Sequence, residues 1–233
     1  MRNSNMNETI EKRTAAFLAA LKDARARLAS GDLFTVHISN GNSKTGAVAS
    51  VSTLPFITCP GVCKGQCAGK CYAAKIAALR PSVLKAYAEN TALLFDNPSA
   101  YWDGIAAAVR GVRFFRWHVS GDIVNAEYVR NMSRIAESAP HCRFMAFTKR
   151  ADAVNDFITA GGVIPENLII IFSTWGAWKP ENPHALPESA VIFKGAEPAD
   201  GWKICGGNCF ECACRGVGCW ELKAGETIAF YEH

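Results

Sequence analysis

Apolar residues recur at helical spacing across residues 8–29, where Ile10, Phe17, Leu18, Leu21 and Leu28 are interleaved with lysines and arginines. That pattern predicts an amphipathic helix, closed by Ser30-Gly31-Asp32. Phe34–Ser39 alternates as a strand does, Asn40-Gly41 is a turn signal, and Ala47–Ser52 reads as the returning strand. Residues 72–95 predict a helix broken at Pro81, and 99–110 predict another. The pattern then becomes regular. Strands at Arg113–Val119, Arg143–Thr148 and Leu168–Ser173 alternate with helices at 125–137 and 151–160, and Ala190–Lys194 reads as one more strand. Strand–helix alternation with apolar strands predicts an α/β fold with a largely parallel sheet covered by helices. The expected architecture is a partial (β/α) barrel or an open, mostly parallel sheet.

After Pro198 the composition shifts to glycine and cysteine. This divides the chain into an α/β core at 1–198, with the N-terminal helix and a first cysteine loop at 59–71, and a cysteine-rich C-terminal lobe at 199–233. The 233 residues suffice to bury a core, and 49% hydrophobic against 20% charged residues exclude a disordered chain. The net charge of +4 is too mild to argue for nucleic acid by itself. No segment has the length and apolarity of a membrane span or a signal peptide, so a cytoplasmic protein with no membrane partner is expected.

Cysteine changes the picture most. Nine of the ten cysteines fall within 59–71 and 205–219. In a reducing compartment such clusters point to metal or redox chemistry rather than disulfides. The first window places Cys59, Cys63, Cys67 and Cys71 at even three-residue gaps, in a loop of small residues that runs directly into a helix. One loop of this kind suits an iron–sulfur cluster better than zinc, whose ligand pairs sit on two distant arms. Lys64 and Lys70 can offset its negative charge. The second window holds Cys205, Cys209, Cys212, Cys214 and Cys219. Four of these complete a closed site, structural or electron-transferring, that either zinc or a second 4Fe–4S cluster would fill. Cys142, alone, reads as a buried small hydrophobe.

Ser120-Gly121-Asp122 follows a predicted strand, where open α/β sheets bind ligands. The turn offers a hydroxyl, close backbone approach and a carboxylate suited to an amino group. Asp122 reads equally as a turn or helix-capping residue, and His118 as a core histidine.

A cysteine loop ending in Cys71-Tyr72, followed by a strand ending in Ser120-Gly121-Asp122 and a helix opening with Asn125-Ala126-Glu127-Tyr128, resembles the radical S-adenosylmethionine (SAM) superfamily. The resemblance implies a 4Fe–4S cluster on three loop cysteines, SAM on its fourth iron, and a role for Tyr72, Ser120, Gly121 and Asp122 in holding SAM. The loop departs from the usual C-x-x-x-C-x-x-C, and Asp stands where Glu is typical. A resemblance covering nearly the whole chain is to the phage gene-product-88-like family of phage- and plasmid-borne proteins. It rests on Asn42-Ser43-Lys44-Thr45-Gly46, Thr58-Cys59-Pro60 with Cys63, Cys71-Tyr72-Ala73, His118–Asp122, Cys219-Trp220 and Ile228–His233. It matches the second window at Cys205, Cys209, Cys212 and Cys219 and leaves Cys67 and Cys214 outside the pattern.

Three functional classes follow. The first is a radical-SAM-like iron–sulfur protein that cleaves SAM reductively to act on a substrate the residues do not name. The second is a non-catalytic iron–sulfur or zinc protein that binds nucleic acid or a host protein, with Lys149-Arg150 and several tryptophans as candidate contacts. The third is an electron-transfer scaffold in which all four loop cysteines hold the cluster and SAM does not bind. The redox classes require an electron donor.

Overall fold

The computed structural model describes residues 2–61, 63 and 67–232; Lys64 and His233 lie outside them. Seven α-helices and eight strands are present among the described residues. In chain order they are α1 (Arg2–Ala29), β1 (Ile38–Ser39), β2 (Ala49–Val51), α2 (Tyr72–Leu79), α3 (Pro81–Asp96), α4 (Pro98–Val109), β3 (Phe114–Trp117), α5 (Ala126–Ser138), β4 (Arg143–Thr148), α6 (Ala151–Thr159), β5 (Leu168–Ser173), β6 (Glu188–Ile192), β7 (Lys203–Ile204), α7 (Cys209–Arg215) and β8 (Thr227–Tyr231). The strands form one sheet in the order β1-β2-β3-β4-β5-β6-β8-β7. Every pairing from β3 to β7 is parallel. Of the two architectures expected from the sequence, the structure has the open, mostly parallel sheet. No helix among the described residues is long and apolar enough to cross a membrane.

Pro81 divides the predicted long helix as expected. Arg80 is extended at φ −125°, and Pro81 starts α3 at its first position, where its missing N–H costs nothing and its ring excludes helical backbone before it. Residues 199–233, expected as a lobe of their own, contribute β7 and β8 to the sheet.

The chain forms two compact units. The first comprises Met1–Ile38, Val51–Ala108 and His118–Asp122, and the second Ser39–Ser50, Val109–Trp117 and Ile123–His233. The second unit shows why its strands are strands. On β3, Phe115 and Trp117 alternate with Phe114 and Arg116. Phe115 and Trp117 pack with Tyr128 and Phe144. Phe114 joins Val48, Met145, Ile171, Trp220 and Ile228 in a buried cluster with the cysteine-rich segment. The period-two pattern thus feeds two apolar layers.

The first unit is helical, with Phe17, Leu21 and Ala24 of α1 packed among Leu54, Ala74, Ala77, Ala88 and Ala92. Leu18, expected on the apolar face, is exposed. Two adjacent polar residues of α3 tie this unit together. Buried Asn90 receives the His37 N–H at 2.7 Å and donates to the carbonyls of His37 and Ser52, both at 2.9 Å. Glu89, 2% exposed, accepts from Arg27 at 2.7 Å and meets the His37 ring at 2.5 Å. Burial pushes the Glu89 carboxyl up, but the hydrogen bonds from Arg27 and His37 prevail and hold it below its ordinary value. A depressed carboxyl stabilises the fold above the ordinary glutamate pKa, and that stability is lost as pH falls through the native value. Glu89→Gln is therefore expected to cost about 2 kcal/mol at pH 7, with the cost shrinking below about pH 4. Urea unfolding midpoints at neutral and acid pH check this, and an equal cost at both pH values would exclude the charge as its source.

Candidate functional site

The first cysteine loop and the turn after β3 belong to one unit and meet through hydrogen bonds. Thr58, immediately before Cys59, accepts the Asp122 N–H at 3.2 Å. Tyr72, immediately after Cys71, donates its hydroxyl to the Val119 carbonyl at 2.8 Å. Both flanks of the cysteine loop are therefore held by residues 118–122. The turn itself is built from buried hydroxyls. Thr53 and Thr58 pair at 2.9 Å, the Ser120 hydroxyl donates to the Thr53 carbonyl at 3.0 Å, and the Ser120 N–H donates to Ser52 at 3.2 Å. Gly121 adopts φ +81°, and a Cβ there would stand 2.6 Å from Thr58 Oγ1 and closer still to Thr53 Oγ1. Only glycine admits both that backbone and that approach.

Within the loop, Cys63 is buried and Cys59, Cys67 and Cys71 are half-buried. Cys71 caps α2, its sulfur accepting the Ala74 N–H at 3.4 Å. Cys67 precedes a short 3₁₀ turn at Ala68–Lys70. Asp122 is 5% exposed and is not the cap of α5; that role falls to Asn125, which accepts the Tyr128 N–H at 2.9 Å. His118 is buried at φ +55°. Burial draws its pKa down to about 4, against a backbone hydrogen bond with Ser120 that raises it, so the ring is neutral at physiological pH.

In the second unit, α7 opens at Asn208, whose side chain accepts the N–H groups of Phe210 and Glu211. It closes at Gly216 in the left-handed region, as C-terminal glycines do. The Asn42–Gly46 motif is accounted for here. Its Asn42 side chain accepts the N–H groups of Lys44 and Thr45, and the carbonyls of Lys44 and Thr45 accept from Cys209 and Phe210. This clasp sets the first turn of α7. Cys205, Cys209 and Cys212 pack against the buried cluster that contains Cys219. The Cys212 thiol is pushed up by burial and then by the charges of Cys205 and Cys209. The Cys219 thiol is raised for the same reasons, with Arg116 opposing. Arg116 Nη1 points at Cys209 Sγ across 3.8 Å and its guanidinium lies 5.0 Å over the Phe147 ring. Arg116 pairs with no carboxylate among the described residues, and its Nε is buried without a partner there. The Gly207 N–H donates to Cys205 Sγ at 3.4 Å.

The structure thus gathers Cys205, Cys209, Cys212 and Cys219, and leaves Cys214 exposed. Cys142 is buried, its thiol raised to about 12 by burial. Hydrogen bonds from Asp122 to Thr58 and from Tyr72 to Val119 join the first cysteine loop to the turn that contains Ser120 and Gly121. Among the described residues, no three His, Cys, Asp or Glu side chains stand as the ligand set of a metal ion. Sequence reading missed Ser52, Thr53 and Tyr87, and took Thr58 only as part of the motif with Cys59 and Pro60. The Tyr87 hydroxyl is raised by burial, is hydrogen-bonded to Ser52, and feels Tyr72 and Cys71. Only the Thr58-Cys59 adjacency signals any of these in the sequence. Arg116 was missed as well, and its signal in the sequence is a charge inside an apolar strand.

Fold and site define an α/β protein with an open, mostly parallel sheet and one group of cysteines in each of its two units. Within that class the chain belongs to the gene product 88 family, whose model matches residues 19–225 and so spans both cysteine windows. No curated protein and no solved structure matches the chain.

Two outcomes follow from the turn. Gly121→Ala is expected to destabilise the protein by about 2–3 kcal/mol, read from chemical unfolding; a neutral substitution would show that the threonines yield. His118 binds its proton only near pH 4 when folded, whereas an unfolded histidine does so near about 6.5. Stability therefore falls as pH drops from about 6.5 and levels off below the native value. His118→Asn, which tolerates the same backbone, should remove that slope between pH 7 and 4.

Proposed function

We propose that the chain is an iron–sulfur protein of radical-SAM-like organisation with a second, closed cluster site. Three of Cys59, Cys63, Cys67 and Cys71 would hold the first 4Fe–4S cluster. Asp122 would take the amino group of SAM. Ser120 and Gly121 would build the turn that presents it, the Ser120 hydroxyl donating to the Thr53 carbonyl and Gly121 abutting Thr53 and Thr58. The chemistry such a cluster would supply, when bound and reduced, is one electron to the SAM sulfonium with cleavage of a sulfur–carbon bond. The observation that carries this reading is the pair of hydrogen bonds, Thr58 with Asp122 and Tyr72 with Val119, that binds both flanks of the cysteine loop to the strand-end turn.

Cys205, Cys209, Cys212 and Cys219 would hold the second group. Their surroundings fit one. Gly206 and Gly218 lie beside the Cys212 sulfur, where a Cβ would stand in ordinary contact at 3.5 or 3.4 Å. Arg116 and the Gly207 N–H face the thiols and would offset thiolate charge. A single zinc ion at about 2.3 Å from each sulfur draws its four ligands into mutual contact, whereas a multi-iron cluster accommodates a wider set.

Anaerobic purification should give a brown protein with iron and sulfide in equal amounts. Cys59→Ser/Cys71→Ser and Cys205→Ser/Cys212→Ser should each lose about half the iron. Adding SAM should change the electron paramagnetic resonance spectrum of the reduced protein, and 5′-deoxyadenosine and methionine should accumulate. A colourless protein holding only zinc would overturn the iron–sulfur reading. Full iron with a spectrum indifferent to SAM would overturn the SAM-binding part and leave electron transfer.

A further inference from the structure

Residues 33–88 contain six of the 25 basic residues and none of the 21 acidic ones, leaving 19 basic against 21 acidic in the rest of the chain. Five of the six, from Lys64 to Lys85, lie in or soon after the first cysteine loop along the chain, Lys85 paired with Glu89, whereas Lys44 belongs to the second unit. Helix α2, directly after that loop, is built inside out. Its buried residues are Ala73, Ala74 and Ala77, and Ala74 and Ala77 lie in the helical core. Its large apolar residues face solvent: Tyr72 is 59% exposed, Ile76 37% and Leu79 66%. They stand at i, i+4 and i+7 and so share one face. Exposed Lys75 flanks that stripe on one side and exposed Arg80 on the other, with exposed Lys70 at its N-terminal end. A helix that needed these side chains for folding would turn them inward. An apolar centre with a charged rim is the composition of a protein-docking surface, and aliphatic Ile76 and Leu79 do not stack bases as a single-strand binder's aromatics do.

We propose that this face of α2 docks an acidic electron-carrier protein beside the first cysteine loop. The partner's identity as an electron carrier rests on the iron–sulfur reading above; the surface does not. Carboxylates around an apolar centre on the partner would meet Lys70, Lys75 and Arg80, while Tyr72, Ile76 and Leu79 would be covered. Tyr72 also donates to Val119, so the docked face is continuous with the turn that holds the loop.

The test titrates the full-length chain with reduced flavodoxin and, separately, with a plant-type ferredoxin, with iron content measured on the same preparation. Binding should weaken about tenfold between 50 and 300 mM salt, and Lys75→Glu/Arg80→Glu should weaken it about tenfold at low salt. Ile76→Ser/Leu79→Ser should weaken it several-fold while leaving the salt dependence. Lys179→Glu/Lys194→Glu, in the second unit, should change nothing; all of these side chains lie away from the core, and circular dichroism verifies folding. No binding of either carrier, or equal loss in the second-unit variant, overturns the proposal. So does tighter binding of a single-stranded oligonucleotide that responds to the charge reversals and ignores Ile76→Ser/Leu79→Ser. A carrier bound by an iron-free preparation sustains the surface and sinks the cluster, whereas an iron-loaded protein that ignores both carriers does the reverse.

Discussion

Gly121 stands against two threonine hydroxyls, and the first unit's candidate chemistry depends on that contact. With a side chain there, Thr53 and Thr58 could not approach, and the Asp122 N–H would lose the hydroxyl that holds it. Thr58 is also the residue before Cys59, so the position of the cysteine loop and that of the buried carboxylate are set by one oxygen. Tyr72 repeats the connection at the other end of the loop. A loop rich in glycine has little intrinsic conformational preference, and tying both its flanks to a rigid turn reduces the entropy that any ligand would otherwise have to remove.

The second cluster solves the same problem differently. Its cysteines lie on a short helix and the segments either side of it, and the helix is set by the Lys44 and Thr45 carbonyls. β3 then contributes opposite chemistry from its two faces: Trp117 and Phe115 to one apolar layer, Phe114 and Arg116 to the layer that contains the thiols. An arginine in such a strand needs a counter-charge, and no carboxylate among the described residues supplies it. Its Nη1 meets the Cys209 sulfur at 3.8 Å instead, and its charge acts on the buried Cys219 thiol.

Much of this was legible in the sequence. The strands at 143–148 and 168–173 and the helix break at Pro81 follow from apolar run length and from proline's fixed geometry. The two cysteine windows are visible as composition alone. The C-terminal strands were not, because glycine and cysteine around them mask a short alternating run whose partners are β6 and the sheet edge. The hydroxyl network was equally hidden. Serines and threonines are common everywhere, and only the fold brings Ser52, Thr53 and Thr58 to a turn more than 60 residues away.

The sequence by itself determined the kind of protein: an alternating α/β chain of the gene product 88 family with thiols in two places. Local periodicity and residue chemistry act over a few positions, so they are readable without a structure. Tertiary structure alone decided which thiols meet, that Cys214 stands apart, that Arg116 faces the second cluster, and that the large apolar residues of α2 point outward. Those outcomes depend on contacts between distant segments, where the cost of closing each loop is met by packing that no local pattern encodes.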